Sequence, residues 1–501
     1  MKPYPKYKSS NIPWIGEIPQ HWDLLRLKWI LSINPSKGLY EAKKKSDELV
    51  TFLPMEKVFE DGRFDTTLKK PINEVWNGFT FFQEGDVIIA KITPCFENGK
   101  GALLINLGSA FGFGSTEFHV LRGKKKITPK FLFYLTRTHS FRDVGEAMMF
   151  GAAGQKRIPT SFLENYLMSL PSVTEQLQIA AYLDSKTQKI DKLISNKQKQ
   201  IELLKEERQA IINNAVTGKL LPLTKGENTR GGFDSVRGVG GGGPARGADA
   251  GGSARAIGGN EMVVVSGGIV GKEVAVGHGA IVADATAAAE KVVEAEAVAT
   301  KVKLKDSDIP WLEDIPEHWQ VKKLKYLANL KSGEFINAEN ISPVGDFPVL
   351  GGNGLRGYTN IYTHKGNYIL IGRQGALCGN INLAVGKFYA TEHAVVVTIL
   401  DESDTIWLAE LLRTMNLNQY SQASAQPGLA VETIKNLPIP FPPYEEQKTI
   451  SLFLSQETKR IDFTISQIDK EISLLQEYRT ALISEVVTGK IDVREEVEKS
   501  V

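Results

Sequence analysis

The chain carries two copies of one sequence pattern, and this duplication constrains its fold more than any other feature. A block that begins at Ile12 (Ile-Pro-Trp-Ile-Gly-Glu-Ile-Pro-Gln-His-Trp) returns 297 residues later at Ile309 (Ile-Pro-Trp-Leu-Glu-Asp-Ile-Pro-Glu-His-Trp). The pair Glu175-Gln176 returns only 271 residues later, as Glu446-Gln447, so the second copy is 26 residues shorter inside. Because the ends match and the interiors differ, we expect one scaffold with two different inserts, and a period this long indicates a duplicated domain pair rather than a solenoid.

Length and composition fit a globular protein of about two to four domains. Of the 501 residues, 42% are hydrophobic and 24% are charged. No apolar run reaches the roughly 18 residues of a membrane helix, and no apolar segment follows Met1 as a secretory signal would require. Two cysteines cannot form a disulfide framework in such a chain, so we expect a reducing, cytoplasmic location and no membrane partner.

Charge is unevenly distributed between the two inserts. Residues 1–174 contain 24 lysines and arginines against 17 acidic residues, whereas residues 304–442 contain 11 against 14. The first insert could therefore be attracted to phosphate, but the second insert gives no such electrostatic argument.

A long helix is predicted after each Glu-Gln pair. Apolar residues recur there in alternating steps of three and four, which is a heptad seam held over about four heptads in the same register twice. The seam positions are Leu183, Ile190, Ile194, Ile201, Leu204, Ile211 and Ala215 in the first copy, and Leu454, Ile461, Ile465, Ile472, Leu475, Leu482 and Val486 in the second. Gly218 and Gly489 are predicted to cap the helices. Each helix could pack on its own domain, but a seam this narrow favours a partner helix, and the other long helix is the simplest partner.

The inserts have the pattern of mixed α/β domains. Short apolar strands are predicted at Gly85–Ala90 and Asn367–Gly372, and helices around Phe131–Leu135 and Trp407–Leu412. Residues 226–300 are instead rich in glycine and alanine with almost no aromatic residues, which predicts a flexible linker.

Several motifs suggest chemistry, but their context argues against it. The glycines of Gly352–Gly357 match a dinucleotide fingerprint, yet Tyr358–Tyr362 is β-branched and aromatic where the fingerprint needs a helix, so a turn between strands is expected. Phe441–Tyr444 resembles the Pro-Pro-Tyr loop of amino-methyltransferases, but Phe441 cannot accept a hydrogen bond from a target amino group. We find no phosphate-binding loop and no metal-ligand spacing among the histidines, and we therefore expect no catalytic residue and no metal site on this chain.

Taken together, the repeated blocks resemble type I restriction-modification specificity subunits. The resemblance rests on the Ile-Pro-x-His-Trp openings, the Gly-Asp-Val strand that leads to Lys91-Ile92-Thr93-Pro94, the Ser-Thr-Glu-Phe-His strand, the turn Gly154–Pro159, and the Glu-Gln pair before each long helix. It covers roughly residues 1–222 and 304–492. The second copy departs from it, with Gly428-Leu429-Ala430-Val431 where the first has Gln155-Lys156-Arg157-Ile158, and the linker is longer than the usual direct join.

The resemblance implies a mixed α+β fold in which two long antiparallel coiled-coil helices separate two α/β target recognition domains, with a pseudo-twofold internal repeat. The implied order is a first target recognition domain over 1–174, a spacer helix over 175–222, the Gly/Ala-rich linker over 223–303, a second target recognition domain over 304–442, a second spacer helix over 443–492 and a tail over 493–501. It also implies a non-catalytic subunit that binds a bipartite, asymmetric site on double-stranded DNA. Its partners would be modification subunits, expected to number two, which carry S-adenosylmethionine, and restriction subunits that use ATP and Mg²⁺.

Polar side chains near the glycine-rich turns are the candidate DNA contacts, because arginine and glutamine can read base edges and lysine mostly binds phosphate. The candidates are Lys91, Lys100, Arg122, Gln155, Lys156 and Arg157 in the first insert, and Arg356, Arg373, Gln374 and Lys387 in the second. Each of them could instead be an ordinary solvated charge. Two other functions remain open, namely a coiled-coil interaction scaffold with no DNA role and an enzyme, although the latter lacks a recognisable catalytic set.

Overall fold

The computed structural model describes residues 2–151, 154–221, 302–375, 377–400, 402–421 and 428–498. The Gly/Ala-rich linker lies outside the described residues. The chain divides into two compact units, of which unit 1 comprises Met1–Gln200 with Ser466–Val501, and unit 2 comprises Ile201–Ile465. The division runs through the two long helices, so each unit contains part of both.

Unit 1 is a mixed α/β structure. Its strands are β1 Tyr7–Ser9, β2 Glu17–Pro19, β3 Asp23–Arg26, β4 Leu31–Ile33, β5 Leu49–Leu53, β6 Lys69–Pro71, β7 Thr80–Gln83, β8 Val87–Ala90, β9 Gly101–Leu103, β10 Phe111–Gly114, β11 Phe118–Gly123 and β12 Leu167–Leu170. Its helices are α1 Leu27–Ile30, α2 Ile72–Val75, α3 Pro129–Leu135, α4 His139–Ala147, α5 Thr160–Asn165 and the start of α6 Val173–Val216, with short 3₁₀ turns at Gly38–Lys43 and Met55–Lys57.

Two four-stranded sheets form the body of unit 1, in the orders β6-β5-β10-β7 and β4-β11-β8-β9, and two-stranded pairs join β1 to β2 and β12 to β3. The largest apolar core packs Trp22, Phe131 and Phe141 against Leu183 near the start of α6. Helix α3 begins where the hydroxyl of Thr128 accepts from the backbone N–H of Phe131, and this confirms the predicted helix.

Unit 2 is built around one larger sheet. Its strands are β13 Leu304–Ile309, β14 Leu312–Pro316, β15 Gln320–Lys323, β16 Ala328–Ser332, β17 Phe347–Gly351, β18 Gly354–Thr359, β19 His364–Gly372, β20 Ile381–Ala390, β21 Ala394–Ile399 and β22 Pro438–Phe441. Its helices are α7 Thr405–Thr414, α8 Val431–Lys435 and the start of α9 Tyr444–Val487, with 3₁₀ turns at Leu324–Tyr326, Ala338–Asn340 and Leu417–Tyr420. A last helix, α10 Arg494–Glu498, belongs to unit 1.

The six-stranded sheet of unit 2 has the order β16-β21-β19-β20-β17-β18, while β13 pairs with β14 and β15 with β22. Its core packs Trp319 and Trp407 with Ile212 from the end of α6 and Leu454 from the start of α9. The glycines at 352 and 354 lie at the turn between β17 and β18, so the predicted turn is confirmed.

Helices α6 and α9 each have 44 residues, which corresponds to about 66 Å of helix. Within unit 1 they run antiparallel, because rising residue numbers on α6 pair with falling numbers on α9. The ion pairs between them are Asp191 with Arg479 and Lys197 with Glu471 in unit 1, and Arg208 with Asp462 in unit 2. Lys197 and Arg208 occupy seam positions without an apolar residue, so the ion pairs fall where the seam is interrupted.

The structure confirms the predicted seam and the predicted C-terminal caps of both long helices. The seam residues are buried or half-buried along both helices, and Gly218 and Gly489 follow the helix ends with φ of 79° and 77°. Glycine adopts this left-handed conformation without strain, so both predicted caps are confirmed.

Each repeated Ile-Pro-x-His-Trp block lies where one long helix begins. In unit 1 the Nε2 atom of His21 is 3.0 Å from a carboxylate oxygen of Glu175. In unit 2 the corresponding distance from His318 to Glu446 is 2.9 Å, and the indole of Trp319 donates to the same carboxylate at 3.1 Å. Each of these histidines therefore links its repeated block to the first turns of a long helix, which is a scaffold role.

The same blocks also lie where the other long helix ends. A Cβ atom added at Gly218 would approach Pro316 to 2.4 Å, within unit 2, and one added at Gly489 would approach Pro19 to 2.6 Å, within unit 1. The capping glycines are therefore needed twice, once for the backbone conformation and once for this close approach.

Candidate nucleic-acid interface

Two loops of unit 1 meet at the end of strand β8. The hydroxyl of Thr93 accepts from the backbone N–H of Lys156 at 3.1 Å and donates to the carbonyl of Gly154 at 2.6 Å, while its own N–H donates to the carbonyl of Lys156 at 3.0 Å. The N–H of Ile158 donates to the carbonyl of Lys91 at 2.9 Å. Lys91 and Lys156, which the sequence placed in separate motifs, therefore share one surface, which we call the unit 1 platform (residues 91–94 and 154–158).

Arg157 is the most constrained cation of this platform. Its backbone pairs with Phe150 through hydrogen bonds of 2.9 and 3.2 Å. Its side chain donates from Nε and Nη2 to the carboxylate of Glu117, at 3.0 and 2.8 Å, and from Nη1 to the carbonyl of Gln155 at 3.3 Å. These bonds from Arg157 hold the pKa of Glu117 below its usual value, so the carboxylate is ionised at neutral pH.

A buried histidine supports the platform from below. The Nε2 atom of His119 lies 3.1 Å from the carbonyl of Ile158, and its Nδ1 atom lies 3.1 Å from the side-chain amide of Asn34. Asn34 in turn accepts from the backbone N–H of Val120 at 3.0 Å. A neutral ring with its proton on Nε2 satisfies both contacts, and burial lowers the pKa of His119 in agreement with this form.

Two of the candidates in unit 1 lie away from the exposed end of the platform. Lys100 closes the loop after β8, where its ammonium donates to the carbonyl of Met55 at 3.3 Å. Arg122 makes a bidentate pair with Asp86, at 2.7 and 2.8 Å. This pair lies at the opposite end of the β8–β11 ladder from Lys91, and only 22% of the Arg122 side chain and 1% of the Asp86 side chain are exposed.

Unit 2 has a comparable loop platform with different side chains. The N–H of Leu429 donates to the carbonyl of Arg373 at 2.9 Å, and Gln374 forms an isolated bridge with Gly428. The guanidinium of Arg373 donates to the hydroxyl of Ser332 at 3.1 Å. The side-chain oxygen of Gln374 lies 3.2 Å from Nδ1 of His393.

The backbone contacts correct the sequence alignment of the two platforms. The bond from Ile158 to Lys91 is repeated as the bond from Leu429 to Arg373, so Ile158 matches Leu429 rather than Val431. Gly428 therefore occupies the position of Arg157, and the sequence alignment was wrong by two residues. The reason is that glycine and proline letters mark the turns only loosely, whereas the backbone pairing fixes the register. By the same pairing, His393 occupies the position of Glu117, because the N–H groups of Arg373 and Lys91 donate to their respective carbonyls.

The remaining candidates in unit 2 are exposed. Arg356 lies on β18, and its side chain crosses Gly351, where an added Cβ atom would come within 2.8 Å of it. The ammonium of Lys387 lies 4.8 Å from the ring centre of Tyr362 and 5.5 Å from that of Phe347. Gln155 and Lys156 of unit 1 are exposed as well.

Sequence reasoning missed Glu117, His119 and Asn34, and it also missed Phe150, which is 66% exposed and pairs with the backbone of Arg157. The Ser-Thr-Glu-Phe-His block contains two of these residues and was recognised only as a strand. An acidic residue directly before a strand that leads to a basic loop is the signal that could have identified Glu117.

Neither a metal centre nor a membrane span is found in the described parts of the chain. No group of three or more histidine, cysteine or acidic residues there could hold a metal ion. Among the same residues, no helix is both long and apolar enough to cross a bilayer.

A family model, described as the type I restriction modification DNA specificity domain, matches residues 21–203 and 316–474. The EcoprrI specificity subunit of a type I restriction enzyme from Escherichia coli is 44% identical over 139 residues, which are 27% of this chain and 35% of that protein. The EcoEI specificity subunit from the same species is 36% identical over 181 residues, which are 36% of this chain and 29% of that protein. The chain thus spans about a third of the length of these curated relatives.

A solved structure from work on complex assembly and conformational transition of a type I R-M system also resembles the chain. The match covers 95% of this chain and 99% of the solved chain, with a TM-score of 0.64 and 15% identity. At this level of identity, the resemblance shows the fold alone.

Proposed function

The chain belongs to the family of type I restriction-modification DNA specificity domains, and from this membership we propose that it is the subunit that reads the DNA target of a type I restriction-modification complex. The observation that carries the proposal is the pair of loop platforms, one in each unit, on a repeated scaffold. In unit 1 the platform gathers Lys91, Lys156 and Arg157 on a surface fixed by backbone hydrogen bonds. Side chains of this kind bind phosphates and base edges.

The two platforms support a bipartite target with unequal halves. The positions of Arg157 and Glu117 in unit 1 are taken by Gly428 and His393 in unit 2, as the backbone pairing shows. Two surfaces with different donors and acceptors would read different bases. The proposed target is therefore asymmetric, unlike the palindromes that identical dimeric readers bind.

We assign the two long helices the role of a coiled-coil spacer. Their seam residues are buried or half-buried, and ion pairs join the helices at the interrupted seam positions. A spacer of fixed length would hold two half-sites at a fixed separation along the DNA.

The chemistry of the complex would lie on partner subunits. In this proposal two modification subunits bring S-adenosylmethionine, and restriction subunits bring ATP and Mg²⁺, while this chain supplies only DNA recognition. Because its substrate is DNA inside the cell, we place the protein in the cytoplasm.

The test is methylation sequencing of DNA treated with the reconstituted complex. The chain should be co-purified with a modification subunit of a type I system from the same source, and the chain alone serves as the control. We expect methylation at one bipartite motif with the complex and none with the chain alone. Turnover by the rigorously purified chain, or methylation without a defined motif, would refute the proposal.

A coiled-coil interaction scaffold without a DNA role is the second candidate, favoured by the long paired helices. Binding measurements separate the two functions. A DNA reader should lose affinity steeply as salt rises, because phosphate contacts release counterions. A scaffold should show no specific DNA binding at any salt concentration.

A further inference from the structure

The guanidinium of Arg157 is held on one edge and open on another. Arginine carries five N–H donors in a rigid plane. The N–H of Nε and one N–H of Nη2 donate to the carboxylate of Glu117, and one N–H of Nη1 donates to the carbonyl of Gln155. Nη1 and Nη2 each make one hydrogen bond within the described residues, so each of them keeps a second N–H for a ligand. Because the guanidinium is planar, one donor from each terminal nitrogen can match the O6 and N7 acceptors that guanine presents in the major groove.

We infer that Arg157 reads a guanine in the half-site recognised by unit 1, and that Glu117 is the positioning residue that presents its guanidinium. The inference rests on the proposed function, since it names one base that the unit 1 platform would recognise. It also adds Glu117, which would contact no DNA itself, to the residues that determine specificity.

The pair is too exposed to be explained by stability. The side chains of Arg157 and Glu117 are 39% and 27% exposed, and exposed ion pairs add little to folding stability. The bidentate pair of Arg122 and Asp86, at the other end of the β8–β11 ladder, provides the contrast. Asp86 is fully buried, and it also accepts from the backbone N–H of Gln83, so that pair is part of the interior and is not presented to a ligand.

Arg157 is also ordered before any ligand binds. Phe150 fixes its backbone on one side, and Ile92 forms an isolated bridge with it on the other. Glu117 is fixed as well, because its carbonyl accepts from the N–H of Lys91 at 2.8 Å. A side chain that is already ordered loses less conformational entropy on binding, which is the advantage of a preorganised contact.

The experiment compares four forms of the complex with the modification subunit: the unchanged chain, Arg157→Lys, Glu117→Gln and Lys156→Ala. Each is selected against a library of targets randomised in the half-site that unit 1 reads, and the bound DNA is sequenced. Arg157→Lys keeps the charge but loses the two-donor fork, so we expect discrimination at one G·C pair to fall by about 10- to 100-fold. Glu117→Gln should reduce discrimination at the same base pair by a smaller factor.

Lys156→Ala is the matched control, because Lys156 is exposed and adjacent. Loss of a phosphate contact should weaken binding to all sequences about equally and should reduce the salt slope by about one. Arg157→Lys and Glu117→Gln should leave preferences in the other half-site unchanged, and Arg157→Lys should also leave the salt slope unchanged. If Glu117 only stabilised the fold, Glu117→Gln would reduce discrimination at several positions of the half-site and not at one base pair alone.

Three results would overturn the inference while leaving the proposed function standing. The first is that no position of the unit 1 half-site discriminates in favour of a G·C pair. The second is that Arg157→Lys leaves discrimination unchanged. The third is that Arg157→Lys, like Lys156→Ala, weakens binding to all sequences equally and lowers the salt slope. If Arg157→Lys relaxed one position but Glu117→Gln had no effect, the positioning role would be wrong. If the unchanged complex showed no sequence preference at all, the proposed function itself would fail.

Discussion

At the scale of single residues, two similar ion pairs near opposite ends of the β8–β11 ladder have different environments. Arg122 with Asp86 lies at the buried end of the β8–β11 ladder, and Arg157 with Glu117 lies at the exposed end. Both are bidentate, so the chemistry of the partners is the same. Their energetic roles should differ, because the cost of breaking an ion pair depends on the solvent that replaces the lost partner.

We therefore predict different stability losses for two conservative changes. Asp86→Asn leaves the mostly buried Arg122 without its counter-charge, and it should lower the free energy of unfolding by about 3 kcal/mol. Glu117→Gln leaves an arginine that water can reach, and it should cost less than about 1 kcal/mol. Urea unfolding of the purified variants measures both values, and equal losses would contradict this account.

His119 predicts a pH dependence of unit 1. Burial lowers its folded pKa below the ordinary value of 6.5, so above pH 6.5 neither the folded nor the unfolded state binds the proton. Below that pH, the unfolded state takes up the proton first, and stability should fall progressively as the pH drops from 6.5 towards the folded pKa. Thermal unfolding between pH 7.5 and 5.5 should show this loss, and a His119→Gln variant should show a shallower one. Identical pH profiles for the two proteins would mean that groups other than His119 determine the pH dependence of stability.

The sequence could identify part of the site but not its support. Lys91, Lys156 and Arg157 were found because each belongs to a recognisable motif. Asn34 and Glu117 were missed, because their roles arise from contacts with residues distant in the chain. For the same reason the sequence could not show that Arg122 faces Asp86, which depends on the register of β8 against β11.

At the scale of elements, the two long helices were the most predictable part of the fold. Their heptad spacing repeats twice, and it needs no knowledge of distant contacts. The ends of the short strands were harder to predict. Strands β20 and β21, for example, are separated by a turn at residues 391–393, and the apolar residues on either side of it do not indicate where one strand ends and the next begins. Strand ends depend on which neighbour pairs with them, and a single sequence does not contain this information.

The spacer role leads to a prediction about paired insertions. Seven residues added to α6 near Gln200, with seven added to α9 near Ser466, would preserve the heptad seam on both helices. One heptad adds about 10.5 Å of helix, which is close to three base pairs of DNA. We expect the half-sites to keep their sequences while their separation grows by about three base pairs, as mapped by methylation sequencing. Seven residues added to α6 alone should disrupt assembly, and a change in the half-site sequences would rule out the spacer role.

At the scale of the whole molecule, the repeated sequence blocks coincide with the places where the long helices begin and end. His21 with Glu175 and His318 with Glu446 hold two helix starts, and the glycines that cap the helices contact the same blocks. This explains why the ends of the repeat match while the interiors diverge. The ends of each repeat must form the same contacts with the long helices twice, whereas the interior of each repeat forms a surface whose sequence can vary.

Exchange of one interior should consequently alter one half of the target. Replacing residues 23–160 with the corresponding segment of a related specificity subunit leaves His21, Glu175 and the second unit in place. We expect methylation sequencing to show one new half-site, with the other half-site and the spacing retained. Simultaneous change of both half-sites would contradict a separate reader in each unit.

The division of unit 1 between two distant parts of the chain has a consequence for biosynthesis. Its main core includes Leu482, Ile483, Val486 and Val487 from the end of α9, which leave the ribosome about 285 residues after Gln200. At roughly 5–20 residues per second, this delay lasts on the order of 10–60 s. Unit 2 is continuous in the chain and can complete its core first, although its synthesis starts later. The N-terminal part of unit 1 therefore has an incomplete core, with its apolar surface exposed, until the end of α9 is synthesised. We expect chaperones to bind this part of the protein during translation.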